Sequence, residues 1–423
     1  MADSRPPGPG SKGRRNGNGR VLFGPLTRGG ERNFLDTLRA ENVGALLLLV
    51  VSVLALGWAS SPWESTYRAI SDVRIGPEQL GLDLSIATWA TDGLLAFFFF
   101  VVGLELKREF TVGELSSPRR AALPVIAALG GMAAPAAIYL AVNVLAAGEP
   151  RGWAIPTATD IAFAVAVISA FGRRLPTALR AFLLTLAVAD DFGGIIIIAT
   201  VFAHGFNLPA LLAGVGGIAA FAWLVRRRAH PGVLLLVGVL AWWAVHSSGI
   251  HATITGAALA FTVPATPRGG DEESRAERFE HVWRPFTAGF AVPLFAFFAV
   301  GMRIDPATIG ESLSNPVAIG IMLGLVVGKP IGIVTATLLG ARALRLHPEA
   351  RGAWLDLLAV SCTAGIGFTV SLLVNSLTFQ DGAGEVGKAG ILVASVTSAI
   401  LGSALLVWRS RVHERRGDPV PAS

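Results

Sequence analysis

The chain has 423 residues, of which 52% are hydrophobic and 15% charged, whereas soluble domains carry about a quarter charged residues. This composition excludes an ordinary soluble globular protein. The formal net charge is +6, yet beyond the N-terminal segment the basic residues fall in short gaps between apolar runs, so a nucleic-acid partner is not expected.

In chain order, residues 1–40 ("SRPPGPGSKGRRNGNGR" and its flanks) are rich in Arg, Gly and Pro and read as a disordered basic cytoplasmic tail. The first apolar run, about 44–60, has no convincing cleavage site and is expected to be a retained span rather than a signal peptide. Eleven more candidate spans follow: about 87–106, 121–147, 153–171, 176–203, 209–225, 231–247, 250–266, 285–302, 316–340, 353–378 and 386–408. Most approach the roughly 20 residues that a bilayer requires. The spans at 231–247 and 250–266 are short, with only "HSSGI" where they meet. Residues 411–423 are expected to form a second cytoplasmic tail. The transmembrane domain therefore covers 41–410, an all-α polytopic membrane protein whose principal partner is the lipid bilayer.

The loops orient the chain. With the N-terminus inside, 29 of the 35 Lys and Arg lie on the inner side, five in outer loops, and Lys329 within a span. The positive-inside rule then places both termini in the cytoplasm. One outer loop, "VRIGPEQLGLDLS" at 73–85, has apolar residues alternating on either side of a Gly-Pro turn, which predicts a β-hairpin. As an edge strand it suits pairing with a second copy in a homodimer. The single cysteine, Cys362, rules out an intrachain disulfide and reads as a small buried hydrophobe.

Four ionisable residues lie deep in the expected spans: Asp160, Asp190, Asp191 and Lys329. On insertion scales each costs about 2.5–3.5 kcal/mol at the bilayer centre, and a group of them implies an ion or proton path. Asp160 sits in "AIPTATDIAFAVAV", where Pro156 weakens the helix in mid-span. The penultimate span has its own weak point in "SCTAGIGFTVS", at Gly365 and Gly367. The two stretches read alike, TATDIAF against TAGIGFT, and occupy the second position of spans 3–5 and of spans 10–12. Matching interruptions in two halves point to a transport site built from broken helices. Crossing half-helices expose positive N-termini and negative C-termini in mid-membrane. Asp160 can offset the positive ends and Lys329 the negative ones.

Six ordered stretches, "VGLELKREF", "PTATDIAFAVAV", "LAVADDFGGIIIIA", "GIHATITG", "VVGKPIGI" and "AGIGFTVS", closely resemble the NhaA family of bacterial sodium/proton antiporters over about residues 35–410. The resemblance implies an all-α fold of about twelve helices with inverted repeats and two broken crossing helices, set in the bacterial inner membrane. It implies electrogenic exchange of Na+ or Li+ for protons, serving pH and sodium homeostasis, with no cofactor beyond the transported ions. By the same resemblance Asp191 is the main cation and proton ligand, with Asp190 beside it and Lys329 paired to Asp190 when no sodium is bound. Thr159 and Asp160 fall at the helix crossing, and Asp92 matches a polar position of the second span. Glu105, Arg108, Glu109, Glu280 and His281 match a pH-sensing inner funnel. His251 in "GIHATITG" matches the family too, although a histidine near a span end is more often structural. The chain departs from the family pattern at Arg284, where a histidine is expected.

The adjacent carboxylates suit such chemistry. Sodium is a hard cation that takes oxygen ligands. Two neighbouring carboxylates with little water resist double ionisation, so the pair holds protons or sodium and is rarely bare. Neighbours on a helix point about 100° apart, so one can meet the ion while the other turns toward Lys329. Rival functions fit less well. An intramembrane aspartyl protease needs its carboxylates on separate helices, a channel needs a filter-like motif, and a symporter of an organic acid needs further polar residues around the aspartates.

Overall fold

Long apolar runs fold as helices because in a bilayer only helices and closed barrels satisfy every backbone polar group. The computed structural model describes residues 28–172, 174–202, 207–267, 271–303, 310, 314–345, 353–379 and 382–416, with backbone alone at 28–43, 177 and 382. Helix α1 (Arg28–Ala59) is followed by α2 (Glu64–Ser71), turned by 117° from it. Then come α3 (Ile86–Thr111), α4 (Pro118–Leu145), a 3-10 segment (Pro150–Thr157) leading into α5 (Ile161–Phe171), and α6 (Thr177–Val201). Helices α7 (Leu208–Arg226), α8 (Pro231–His246) and α9 (Thr253–Thr262) precede α10 (Arg275–Val300) and α11 (Pro316–Ala343). The last three are α12 (Ala353–Ala364), α13 (Phe368–Thr378) and α14 (Gly382–Arg416).

Seven helices are long and apolar enough to span, three further pairs are bent at short breaks, and α8 and α9 are shorter apolar helices. Together they occupy all twelve expected spans. The expected breaks are present: the 3-10 segment meets α5 at 42°, and α12 meets α13 at 47°.

Three boundaries differ from expectation. Helix α1 starts at Arg28, inside the segment read as a tail; Phe34, Leu35 and Leu38 recur there at helical spacing. Residues 1–27 lie outside the described residues. Helix α10 starts ten residues before 285, since Ser274 and Glu277 form a capping box, Ser274 Oγ accepting from the Glu277 amide at 3.2 Å and Glu277 Oε2 from the Ser274 amide at 2.6 Å. Helix α14 runs on to Arg416 because Arg409 and His413, one turn apart, are buried rather than solvated; residues 417–423 are not described.

The hairpin is formed by β1 (Arg74–Ile75) and β2 (Leu84–Ser85), with Arg74 opposite Ser85 and Ile75 opposite Leu84. Its turn is longer than the expected Gly-Pro pair and contains a short 3-10 turn at Glu78–Leu80. Trp89 donates to Ile75 O at 2.8 Å and Trp243 to Leu80 O at 3.0 Å, fastening the hairpin to α3 and α8.

The corresponding first helices of the two halves, α4 and α11, pack backbone to backbone. A Cβ on Gly332 would lie 2.2 Å from Gly130 O, so only glycine permits this approach. The largest apolar cluster surrounds the two breaks and includes Ile155, Leu325, Ile366, Phe368 and Leu372. A second lies beside it around Leu179, Leu183, Leu186, Leu357 and Leu406. Helices α3, α10 and α11 each carry one π turn, at Trp89–Leu94, Thr287–Ala291 and Gly324–Gly328. Such turns re-phase a helix face and often adjoin functional residues; the last of them directly precedes Lys329.

Candidate functional site: the crossing of two broken helices

Pro156 and the extended backbone at Ala158 and Asp160 end the 3-10 segment before α5 begins. Across from it, Gly365 to Gly367 separate α12 from α13. The breaks touch directly, the Asp160 amide donating to Ile366 O at 2.6 Å. On the α12 side a Cβ on Gly367 would lie 3.2 Å from Ala158 O of the other break, and one on Gly365 would fall 2.5 Å from Leu325 O of α11.

Asp160 is 3% exposed and caps two half-helices at once. Its Oδ1 accepts from the Phe163 amide of α5 at 3.2 Å, and its Oδ2 accepts from the Thr369 amide at 3.1 Å and the Thr369 hydroxyl at 2.6 Å, both from α13. One carboxylate thus serves two partly positive helix N-termini, each interaction of this kind stabilising by about 0.3–1 kcal/mol or more when buried.

Lys329 lies on the other side. Its ammonium bonds Asp190 Oδ2 and also donates to Thr159 Oγ1 at 2.5 Å. Thr159 Oγ1 lies 2.9 Å from Asp190 Oδ2 and 3.0 Å from Ala364 O, the last carbonyl of α12. A hydroxyl has a single proton, so Thr159 donates to one of these at a time and couples the ammonium to the negative end of α12. Among the described residues Asp190 Oδ1 has no hydrogen-bond partner although it is buried.

Asp191, one residue on, faces elsewhere, as the helix geometry requires. It borders a cavity of about 100 Å³ shared with Thr159, Asp160, Thr369, Glu105 and Arg284. That exceeds the roughly 10–15 Å³ that one water needs. The cavity therefore leads from the helix crossing to the ends of α3 and α10 that carry Glu105 and Arg284.

At that rim Arg284 bonds Glu105 and, at 2.7 Å, Glu280; Arg108 bonds Glu280 and, at 3.4 Å, Glu277. Of the funnel candidates, Glu105, Arg108 and Glu280 join this chain of alternating charges, and Arg284, the departure from the family pattern, links Glu105 to Glu280. Glu109 does not join it: its Oε2 accepts from the Glu114 amide at 3.0 Å and closes the turn after α3. His281 is exposed on α10. Asp92 and His251 lie apart from the crossing, near the hairpin, where the Nδ1 atoms of His251 and His246 are each 4.0 Å from Asp92.

Two features went unread in the sequence. Thr369 lies inside a quoted motif, and its position two residues past Gly367 was the available signal. The buried group of Asp356, Arg409 and His413 joins residues over 50 positions apart and gave none. Among the described residues no set of three or more His, Cys, Asp or Glu side chains is grouped to hold a metal.

Comparison with known proteins agrees with this geometry. The family model described as Na+/H+ antiporter 1 matches residues 35–406. The "Na(+)/H(+) antiporter NhaA 2" of Salinispora arenicola is 50% identical over 98% of this chain and 95% of its own length. The NhaA proteins of Frankia casuarinae and Mycolicibacterium smegmatis are 49% and 47% identical, over 91% and 90% of this chain and 89% of each relative. Among solved structures, the sodium proton antiporter MjNhaP1 from Methanocaldococcus jannaschii shares the fold with a TM-score of 0.51 at 14% identity, covering 90% of this chain and 99% of that one. With two broken helices crossing beside a buried aspartate pair, and with relatives matched along nearly their whole length, the chain belongs to the NhaA family of Na+/H+ antiporters.

Proposed function

We propose that the protein is an electrogenic antiporter that extrudes Na+ or Li+ in exchange for two protons per cation, by alternating access at the Asp190–Asp191 pair. It works in the bacterial cytoplasmic membrane with both termini inside, and serves pH and sodium homeostasis. The observation that carries this reading is the division of the pair: Asp191 borders the cavity while Asp190 is bonded to Lys329.

Each carboxylate then accounts for one proton. Sodium entering the cavity competes with a proton for Asp191. When the ion also recruits Asp190, the Lys329 ammonium loses its counter-ion in a dry interior, which costs several kcal/mol. The second proton is therefore carried by the Asp190–Lys329 pair as a unit. Asp160 stays with the two helix N-termini and keeps the crossing intact in both states. The Glu105–Arg284–Glu280–Arg108 chain at the cavity rim is the assigned pH-responsive inner funnel.

Proton flux in everted membrane vesicles on addition of Na+, Li+ or K+, across a pH series, tests the reading. Na+ and Li+ should release protons from the vesicles and K+ should not; equal responses to all three would overturn it.

A further inference from the structure

Outside the exchange site the described residues contain one other fully buried group of charges. Asp356, at the start of α12, accepts from Arg409 Nε at 2.6 Å, and His413 Nε2 lies 3.1 Å from each of its carboxylate oxygens. The three residues are 4%, 2% and 6% exposed. The same turn of α14 also holds the other broken helix: Ser410 Oγ donates to Phe171 O, the last residue of α5, at 3.0 Å, and Glu414 pairs with Arg174 at 2.9 Å. One turn of the C-terminal helix therefore grips the inner half of each broken helix.

The grip extends to the crossing. Helix α14 lies along α12, where a Cβ on Gly402 would fall 2.6 Å from Thr363 Cγ2 and one on Gly365 would fall 2.7 Å from Ser398 Oγ. From Asp356 to Ala364 is about 12 Å of helix, at 1.5 Å per residue. A displacement at Asp356 moves the far end as a lever, and that end carries Ala364 O, which receives Thr159, and precedes Ile366 O, which receives Asp160.

Apolar side chains would hold such a site together at least as well as a buried ion group, which stabilises little once desolvation is counted. Directional charge pairs add registry: they fix where α14 sits along α12. We infer that Asp356, acting through Arg409 and His413, is a positioning residue for the exchange, locking the inner half-helices to α14 so that the carbonyls at the crossing stay aligned with Thr159 and Asp160. This rests on the exchange site lying at the crossing.

The test uses full-length protein in proteoliposomes, measuring Na+-driven proton flux against Na+ concentration together with thermal melting. Asp356→Asn should raise the KM for Na+ about 3–10-fold, within the range of coupling seen between distant sites, with a smaller change in maximal rate. Asp356→Glu should restore much of the lost affinity. The double variant Asp356→Leu with Arg409→Leu should melt near the wild-type temperature yet keep the raised KM, because packing is retained and registry is not. A KM within twofold of wild type in the double variant or in Asp356→Asn, whatever the melting temperature, overturns the inference. Asp191→Asn in the same membranes tests the site itself: normal exchange there would refute the site reading, whatever the Asp356 variants do.

Discussion

Lys329 meets Asp190 with neither side chain exposed to solvent, and the only described hydroxyl within reach of both partners is that of Thr159. Removing one member of a buried ion pair leaves the other uncompensated, which costs about 3–5 kcal/mol. Lys329→Ala should therefore lower the melting temperature as well as shift the pH range of exchange. A melting curve and a pH profile both matching wild type would show that the pair does neither.

Thr369 gives Asp160 two of its donors. Thr369→Val keeps the volume but removes the hydroxyl, so a buried carboxylate loses a charge-assisted bond worth about 1.5–3 kcal/mol. The variant should be less stable by that order and exchange more slowly, while Thr369→Ser should resemble wild type. Denaturation with a thermal-shift dye in detergent distinguishes them; a Thr369→Val variant that melts and exchanges like wild type would show that the hydroxyl bond to Asp160 contributes nothing.

Gly365→Ala should be among the most damaging single-methyl additions in the chain. Its Cβ would meet the Leu325 carbonyl at 2.5 Å, and neither backbone can yield without opening the crossing. Expression with little exchange, or failure to accumulate in the membrane, is expected. A fully active Gly365→Ala would mean that the α12 break does not lie against the Leu325 carbonyl of α11 in the membrane.

Much of this arrangement is visible in the residues alone, and the reason is physical. A charge in a bilayer is expensive enough that Asp160, Asp190, Asp191 and Lys329 stand out individually, and Pro156 and the glycines at 365 and 367 sit at the two breaks. The hairpin at 73–85 is legible because it alternates outside the membrane. What the residues do not disclose is pairing at a distance. Arg284 departs from a family pattern and so carries little meaning until it is found between Glu105 and Glu280. Asp356 and Arg409 each look like charges at a span end, where the interface would solvate them, and only folding shows that they bury each other. Helix ends were misplaced for the same reason, since the capping box at Ser274 and the buried Arg409 extend helices past the last apolar residue.

Orientation is open to a direct check. On a Cys362→Ala background, a cysteine in the tail before residue 28 or at Glu272 should react only with reagent applied from the cytoplasm. One at Glu78, in the hairpin turn, should react only from outside. Labelling of Glu272 from the outside would break the twelve-span arrangement.

The most direct test of the exchange mechanism is electrical. If two protons enter for each Na+ that leaves, one positive charge moves inward per cycle, driven by about 2.3 kcal/mol per 100 mV. At about 150 mV that is roughly 3.5 kcal/mol, enough to sustain a sodium gradient of several hundredfold without a pH gradient. Current across a supported membrane of proteoliposomes, recorded on a Na+ concentration jump, reads this charge. Wild type should give a transient current that Asp191→Asn abolishes; electroneutral wild-type exchange would contradict the two-proton account, and an undiminished current in Asp191→Asn would contradict the placement of the site.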